Sequence, residues 1–241
     1  MAPGHSYQWN VDTRSGKKVV VAAQKQFMDW PEKYSYFKEG KLASLEGIKA
    51  AAVVAAGPEP GVINAFDEQG TFYEWATGFE FNDRIREVPV LVDQLRKRQE
   101  SNLEYVMASQ QRRVKAIVAE GEEIAKELGM PVGSVEVLSL MTGADPLRGA
   151  LFDPMVLWDL PCGGPNCYGS GAWLPAFGPM PDYRWFGYND RASHVWASGL
   201  NVLCEHIWWG GRWAWILGLP STHFDLINLG FDNIASSSLL I

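Results

Sequence analysis

The chain has 241 residues, 21 Lys and Arg against 28 Asp and Glu, a net charge of -7 and three cysteines. That length can bury a real core as one domain or two. The acidic balance argues against nucleic acid as a partner, which needs a basic face, and three cysteines are too few for a disulfide scaffold.

Met1 to His5 has no basic start and no apolar run after it, so no signal peptide is expected and the reading is cytoplasmic or within a large assembly. Tyr7 to Val11 and Lys17 to Ala23 read as two strands of a hairpin around Asp12 to Gly16. Asp29 is placed to cap a short helix, with Pro31 in its first turn and Gly40 beyond its end. Ser44 to Ala56 reads as a second helix, sustained by Ala50, Ala51 and Ala52 and stopped by Gly57-Pro58. Val62 to Phe66 and Thr71 to Trp75 read as a further hairpin.

The clearest element is a long helix running from Pro89 to Leu128. Leu103, Met107, Gln110, Val114, Ile117, Gly121, Ile124 and Leu128 fall on one stripe by alternating steps of four and three. Gly129 and Pro131 end it. Ser101 with Glu104 resembles a capping box, so a restart at that point is expected. Unbroken, the helix would span about 60 Å at 1.5 Å per residue, longer than a compact domain of this size. It lies either on its own core or against another subunit. Ser134 to Thr142 reads as one more helix.

Near 145–152 the composition changes. Residues 1–150 form a charged, helical part with N-terminal hairpins. Residues 151–241 carry three arginines, seven acids and no lysine, and hold eight of the eleven tryptophans. So little polarity means that the second part must be covered, by the first or by another subunit. It reads as short strands and long loops rich in Gly, Pro and Trp, with no repeat of fixed period. Its longest uncharged stretch, Leu160 to Pro181, contains five prolines and five glycines, so no transmembrane helix is expected and membrane contact is disfavoured. The fold class is α+β.

Standard motifs for nucleotide phosphates, hydrolase nucleophiles and metalloprotease zinc are absent. The sharpest constellation is Cys162 and Cys167 with Cys204 and His206. Three thiolates and an imidazole would close a tetrahedral zinc site, the one cofactor the residues point to. Against it stand the uncommon spacings and the frequency with which cysteine is simply buried. Glu205, in an apolar run, is a candidate acid or base with His206 or His194 as partner, weighed against a strand residue facing solvent. His223 and Asp225 form a second pair by spacing. Trp208, Trp209, Trp213 and Trp215 are candidates for a subunit interface, and alternatively for stacking on sugars.

Three functions follow. The leading one is a structural or assembly subunit, a shell, connector or virion-type component whose partners are copies of itself or other subunits of a complex. The second is a metalloenzyme, or a metal-stabilised enzyme, with its site in residues 160–225. The third is a carbohydrate or apolar-ligand binding module built on the tryptophans.

Overall fold

The computed structural model describes residues 6–11, 18–25, 34–56, 61–79, 82–132, 134, 137, 141, 155–161 and 170–240. The N-terminal hairpin is present: β1 (Ser6–Val11) pairs antiparallel with β2 (Lys18–Lys25) as a separate two-stranded sheet. Where the described residues overlap the helix expected from Asp29, they form strand β3 (Ser35–Lys38), which turns into β4 (Lys41–Ala43). Glu39 and Gly40 both have positive φ, 49° and 73°, the conformation a two-residue hairpin turn needs. Aromatic Tyr36 and Phe37 suit the strand better than a helix.

Ser44 does cap a helix, its Oγ accepting a hydrogen bond from Gly47 N at 3.2 Å. That helix, α1 (Leu45–Ile48), lasts one turn. The segment expected to continue it becomes strand β5 (Val53–Ala56), whose four residues are at most 1% exposed. Burial on both faces of a sheet overrides the helical preference of alanine here. β6 (Val62–Phe66) is as expected, but its hairpin partner is instead helix α2 (Gln69–Ala76). The long helix is two: α3 (Asn82–Glu100), which contains Pro89, and α4 (Leu103–Leu128). The break falls at Ser101 and Asn102 but not through a capping box, because Ser101 Oγ donates to Arg98 O and Asn102 is the N-cap. Gly129, at φ 63°, closes α4 as anticipated. Of the helix expected at 134–142 only Ser134, Val137 and Met141 are described.

The C-terminal strands are longer than the Gly/Pro pattern implies. β7 (Met155–Leu160) and β8 (Ser170–Ala176) are followed by β9 (His194–His206) and β10 (Gly210–Asp225), and β11 (Ser237–Leu240) ends the fold. The main sheet runs β4-β3-β6-β5-β10-β9-β7-β8, with β11 also on β9. β9 serves two neighbours in turn: its residues 194–197 pair with β7 and its residues 201–204 with β11. Gly199, with φ 71°, lies between them, opposite a register shift in β10. The two compositional parts thus share one sheet, joined where β5 pairs in parallel with residues 213–216 of β10. The proposed boundary itself lies outside the described residues.

A duplication absent from the sequence reading becomes visible in this region. Residues 183–193 and 226–236 have the same conformation, offset by 43 positions as from Tyr183 to Leu226. Each opens with a 3₁₀ turn closed by a left-handed glycine, Gly187 or Gly230. Each continues to a residue of positive φ, Asp190 at 52° or Asn233 at 55°. Each segment then hydrogen-bonds the other reciprocally. Tyr183 N donates to Ser236 O and Leu226 N to Ser193 O, at 2.9 and 2.8 Å. Asp190 N donates to Ala235 O and Asn233 N to Ala192 O, at 3.2 and 2.9 Å. Ser193 Oγ donates to Asn233 Oδ1 and Ser236 Oγ to Asp190 Oδ1, at 3.2 and 3.0 Å. These are the contacts of a local pseudo-twofold axis.

Core residues fall into two main layers. Val54, Ala56, Met155, Leu157, Val195, Leu203, Ala214 and Ile216 point into one cluster together with Tyr183, Leu226 and Phe231. Their alternating neighbours Val53, Ala55, Val202, Cys204, Trp213 and Trp215 point into another, which is roofed by Phe72 and Ala76 of α2 and by Ile85, Val88 and Val92 of α3. α4 packs against β8 through Val114, Ile117 and Gly121. A Cβ on Gly121 would lie 2.7 Å from Met141 and 3.0 Å from Trp173. The helix therefore lies on its own chain's core.

Because the paired serines have equivalent partners, Ser193→Ala and Ser236→Ala should each lower stability by a similar ~1 kcal/mol, read from urea unfolding midpoints. Trp215, fully buried in the middle of β10, should cost about 3–5 kcal/mol when replaced by alanine, measured the same way.

Candidate functional site

The sequence placed its candidates between residues 160 and 225, and the described ones serve different parts of the fold. His194 opens β9 and is 2% exposed. Its Nδ1 lies 2.8 Å from Asp225 Oδ1, across the strand pair that matches these two residues. Asp225 thus pairs with His194; the side chain of His223 lies outside the described set. The Trp158 ring covers the imidazole at 5.6 Å between centroids. The pair ties β9 to β10 under an indole and presents little surface to a substrate.

Glu205 also ties a hairpin. Its Oε2 accepts a hydrogen bond from Arg212 N at 3.0 Å. Gly211, at φ 72°, lies against it, and a Cβ there would come within 2.9 Å of the carboxylate. The Arg212 guanidinium donates to Ala51 O at 3.0 Å and to Gly230 O at 3.4 and 3.5 Å, beside the Phe231 ring at 5.4 Å. Its burial lowers the guanidinium's proton affinity, and the Glu205 charge partly restores it. The carboxylate thus anchors an arginine that joins β10 to the α1–β5 connection and to the second duplicated loop. His206, next in the chain, is exposed, and its ring lies beside Gly211, 3.0 Å from where a Cβ there would sit.

Cys204 is fully buried in the α2–α3 layer. Burial pushes its thiol well above the ordinary range, offset in part by a hydrogen bond with Ser237 and by Arg96. A thiol held neutral is a poor nucleophile. Cys162 and Cys167 lie outside the described residues. Among the described residues, no three His, Cys, Asp or Glu side chains are arranged to hold a metal ion.

Of the four candidate interface tryptophans, Trp209, Trp213 and Trp215 are at most 5% exposed. Trp209 Nε1 donates to Ser238 O at 2.8 Å, and Trp213 Nε1 to Trp209 O at 3.3 Å. They anchor the chain's own core and cannot form a face for another molecule. Trp208 differs. It is half-buried, and it sits in the β9–β10 connection with φ 58° and ψ 34°. Trp209 follows with φ 57°. Two successive non-glycine residues in the left-handed region cost about 1–3 kcal/mol each, so the surroundings must hold them there. Arg96 of α3 does so, donating from Nε and Nη2 to Trp208 O at 2.8 and 2.6 Å and from Nη2 to Trp209 O at 3.2 Å. Trp208 N donates to Pro181 O, and Trp209 N to Ser237 Oγ.

Sequence reasoning missed Arg96, Arg212, Trp185 and the duplicated loops. The loops were findable: Gly187-Tyr188-Asn189-Asp190-Arg191-Ala192-Ser193 matches Gly230-Phe231-Asp232-Asn233-Ile234-Ala235-Ser236 in residue character at every position but one. Nothing local marks the two arginines, because their partners are 112 and 161 positions away.

No protein-family model matches the chain, and no curated protein matches it. Among solved structures, a betagamma-crystallin from an archaeon is 23% identical and is aligned over 37% of this chain and 98% of its own, with a TM-score of 0.30. A likeness so distant assigns neither a fold nor a function to this chain.

In a Cys162→Ser/Cys167→Ser variant, where Cys204 is the one remaining thiol, Ellman's reagent should react slowly at pH 8 and rapidly after denaturation. Fast reaction in the native protein would contradict the burial of that thiol.

Proposed function

We propose that this chain is a structural or assembly subunit of a larger complex, associating with copies of itself or with other subunits. The observation that carries the reading is the employment of its reactive side chains. His194, Glu205 and Cys204, the described residues best suited to acid–base or thiol chemistry, each fasten one strand to the next or lie inside the core. What they fasten is a duplicated scaffold locked by reciprocal hydrogen bonds. Such a body suits load-bearing and contact better than turnover. The cover over the tryptophan-rich half comes from α2 and α3, so the partner surface lies elsewhere. Leu42, Val90 and Tyr105, at 79, 59 and 72% exposed, are, among the described residues of the charged half, the large apolar side chains most open to a neighbour.

A zinc-stabilised enzyme remains the competing reading. It would rest on Cys162 and Cys167 together with Cys204 and His206.

Sedimentation velocity of the full chain at micromolar concentration should be dominated by a species larger than 26.8 kDa, and elemental analysis of the same sample should find no stoichiometric zinc. A discrete monomer would overturn the assembly reading. One tightly held zinc per chain would move the argument to the cysteines.

A further inference from the structure

The strands at the ends of the sheets are not alike. A strand with one unpaired side offers a row of backbone donors and acceptors to a neighbouring chain, and stable proteins blunt such edges by shortness, lysine, proline or a bulge. The main sheet ends in β4 and β8. β4 has three residues and begins with Lys41. β8 contains Pro175, which has no N–H to give, and its Ala172 O already accepts from Tyr188 Oη at 3.2 Å. The outer side of β11 is closed by Met180, which exchanges two backbone hydrogen bonds of 2.9 Å with Ser238.

The N-terminal sheet differs. It consists of β1 and β2, and among the described residues neither pairs with a further strand. A two-stranded hairpin is marginally stable at best in water and gains by adding strands. Its two free edges are unequal. β2, Lys-Val-Val-Val-Ala-Ala-Gln-Lys, begins and ends in lysine. It is also the bulged strand. From Ser6 to Gln8 and from Gln8 to Trp9, β1 advances by two residues and by one, while the partner positions run from Lys25 to Ala22 and from Ala22 to Val20, one residue more each time. β1, Ser-Tyr-Gln-Trp-Asn-Val, has no inserted residue, no charge, no proline and no glycine. Its Tyr7, Trp9 and Val11 are strong strand formers.

We propose that two copies of the chain associate by antiparallel pairing of β1 with β1 of the second copy, giving a four-stranded sheet in the order β2-β1-β1-β2. Pairing a strand with itself about a twofold axis sets its own residues against one another, so a charged strand would meet like charge; β1 carries none. The new sheet would present β2 at both outer edges, where lysines and bulges oppose further addition, so the contact closes at two chains. This proposal rests on the assembly reading and names the strand through which copies meet.

The test combines sedimentation velocity of the full chain with hydrogen–deuterium exchange at low and high micromolar concentration. A dimer is expected, with exchange of the amides of residues 6–11 slowing as concentration rises. Gln8→Lys/Asn10→Lys, which gives β1 the kind of guard that β2 has, should weaken the dimer about tenfold or more. The near-ultraviolet circular dichroism of the buried Trp213 and Trp215 should be unchanged in that variant, because they belong to the main sheet. A chain that stays monomeric at high micromolar concentration would overturn this contact and the assembly reading together. An oligomer that survives the double substitution, or wild-type exchange at residues 6–11 that does not depend on concentration, would overturn the β1 contact and leave the assembly reading standing.

Discussion

The fold depends on burying both faces of β10. Alternate residues of one strand point in opposite directions, and here both directions are apolar. Trp213 and Trp215 enter the layer under α2 and α3, while Ala214 and Ile216 enter the layer shared with β7 and the duplicated loops. The edge of the same strand is closed by β5, which adds in parallel at residues 213–216. Several polar side chains around this strand are bonded within the chain: Glu205 on the Arg212 backbone, Arg212 on two carbonyls, Arg96 on the turn that leads into the strand.

This constraint explains how the described strands of a half with ten charges in 91 residues bury most of their apolar side chains. Its cover is intramolecular. The charged N-terminal half supplies two helices for one face and a strand for the edge, with Arg96 of α3 turned inward onto the Trp208 and Trp209 carbonyls. The composition contrast between the halves is thus a contrast between inside and outside of one body.

The duplicated loops add a second level of organisation. Each passes its backbone donors and its serine hydroxyl to the other, so neither is satisfied alone. Reciprocal bonding of this kind makes the pair cooperative, and it positions the 3₁₀ turn that carries Trp185 as well as the strands that carry His194 and Ser237. The buried histidine pair follows directly on how those loops lock, His194 coming next after Ser193 and Asp225 just before Leu226.

Much of the secondary structure could be read from local signals: the N-terminal hairpin, Ser44 as a cap, β6, the long amphipathic helix with its break near Ser101, and Gly129 as its stop. These depend on propensity, periodicity and capping within a few residues. The α+β class and the low exposure of the C-terminal half followed from composition. What failed was decided by contacts far away in sequence. Ala55 and Ala56 became strand because β10 offered a partner 160 positions on. Cys204, Trp209, Trp213 and Trp215 became core because α2 and α3 lie over them. Glu205 and His194 acquired anchoring roles only once β9 and β10 were paired. A side chain's environment is set by which face of a sheet meets which layer, and that is a property of the packed chain, which no window of neighbouring residues contains.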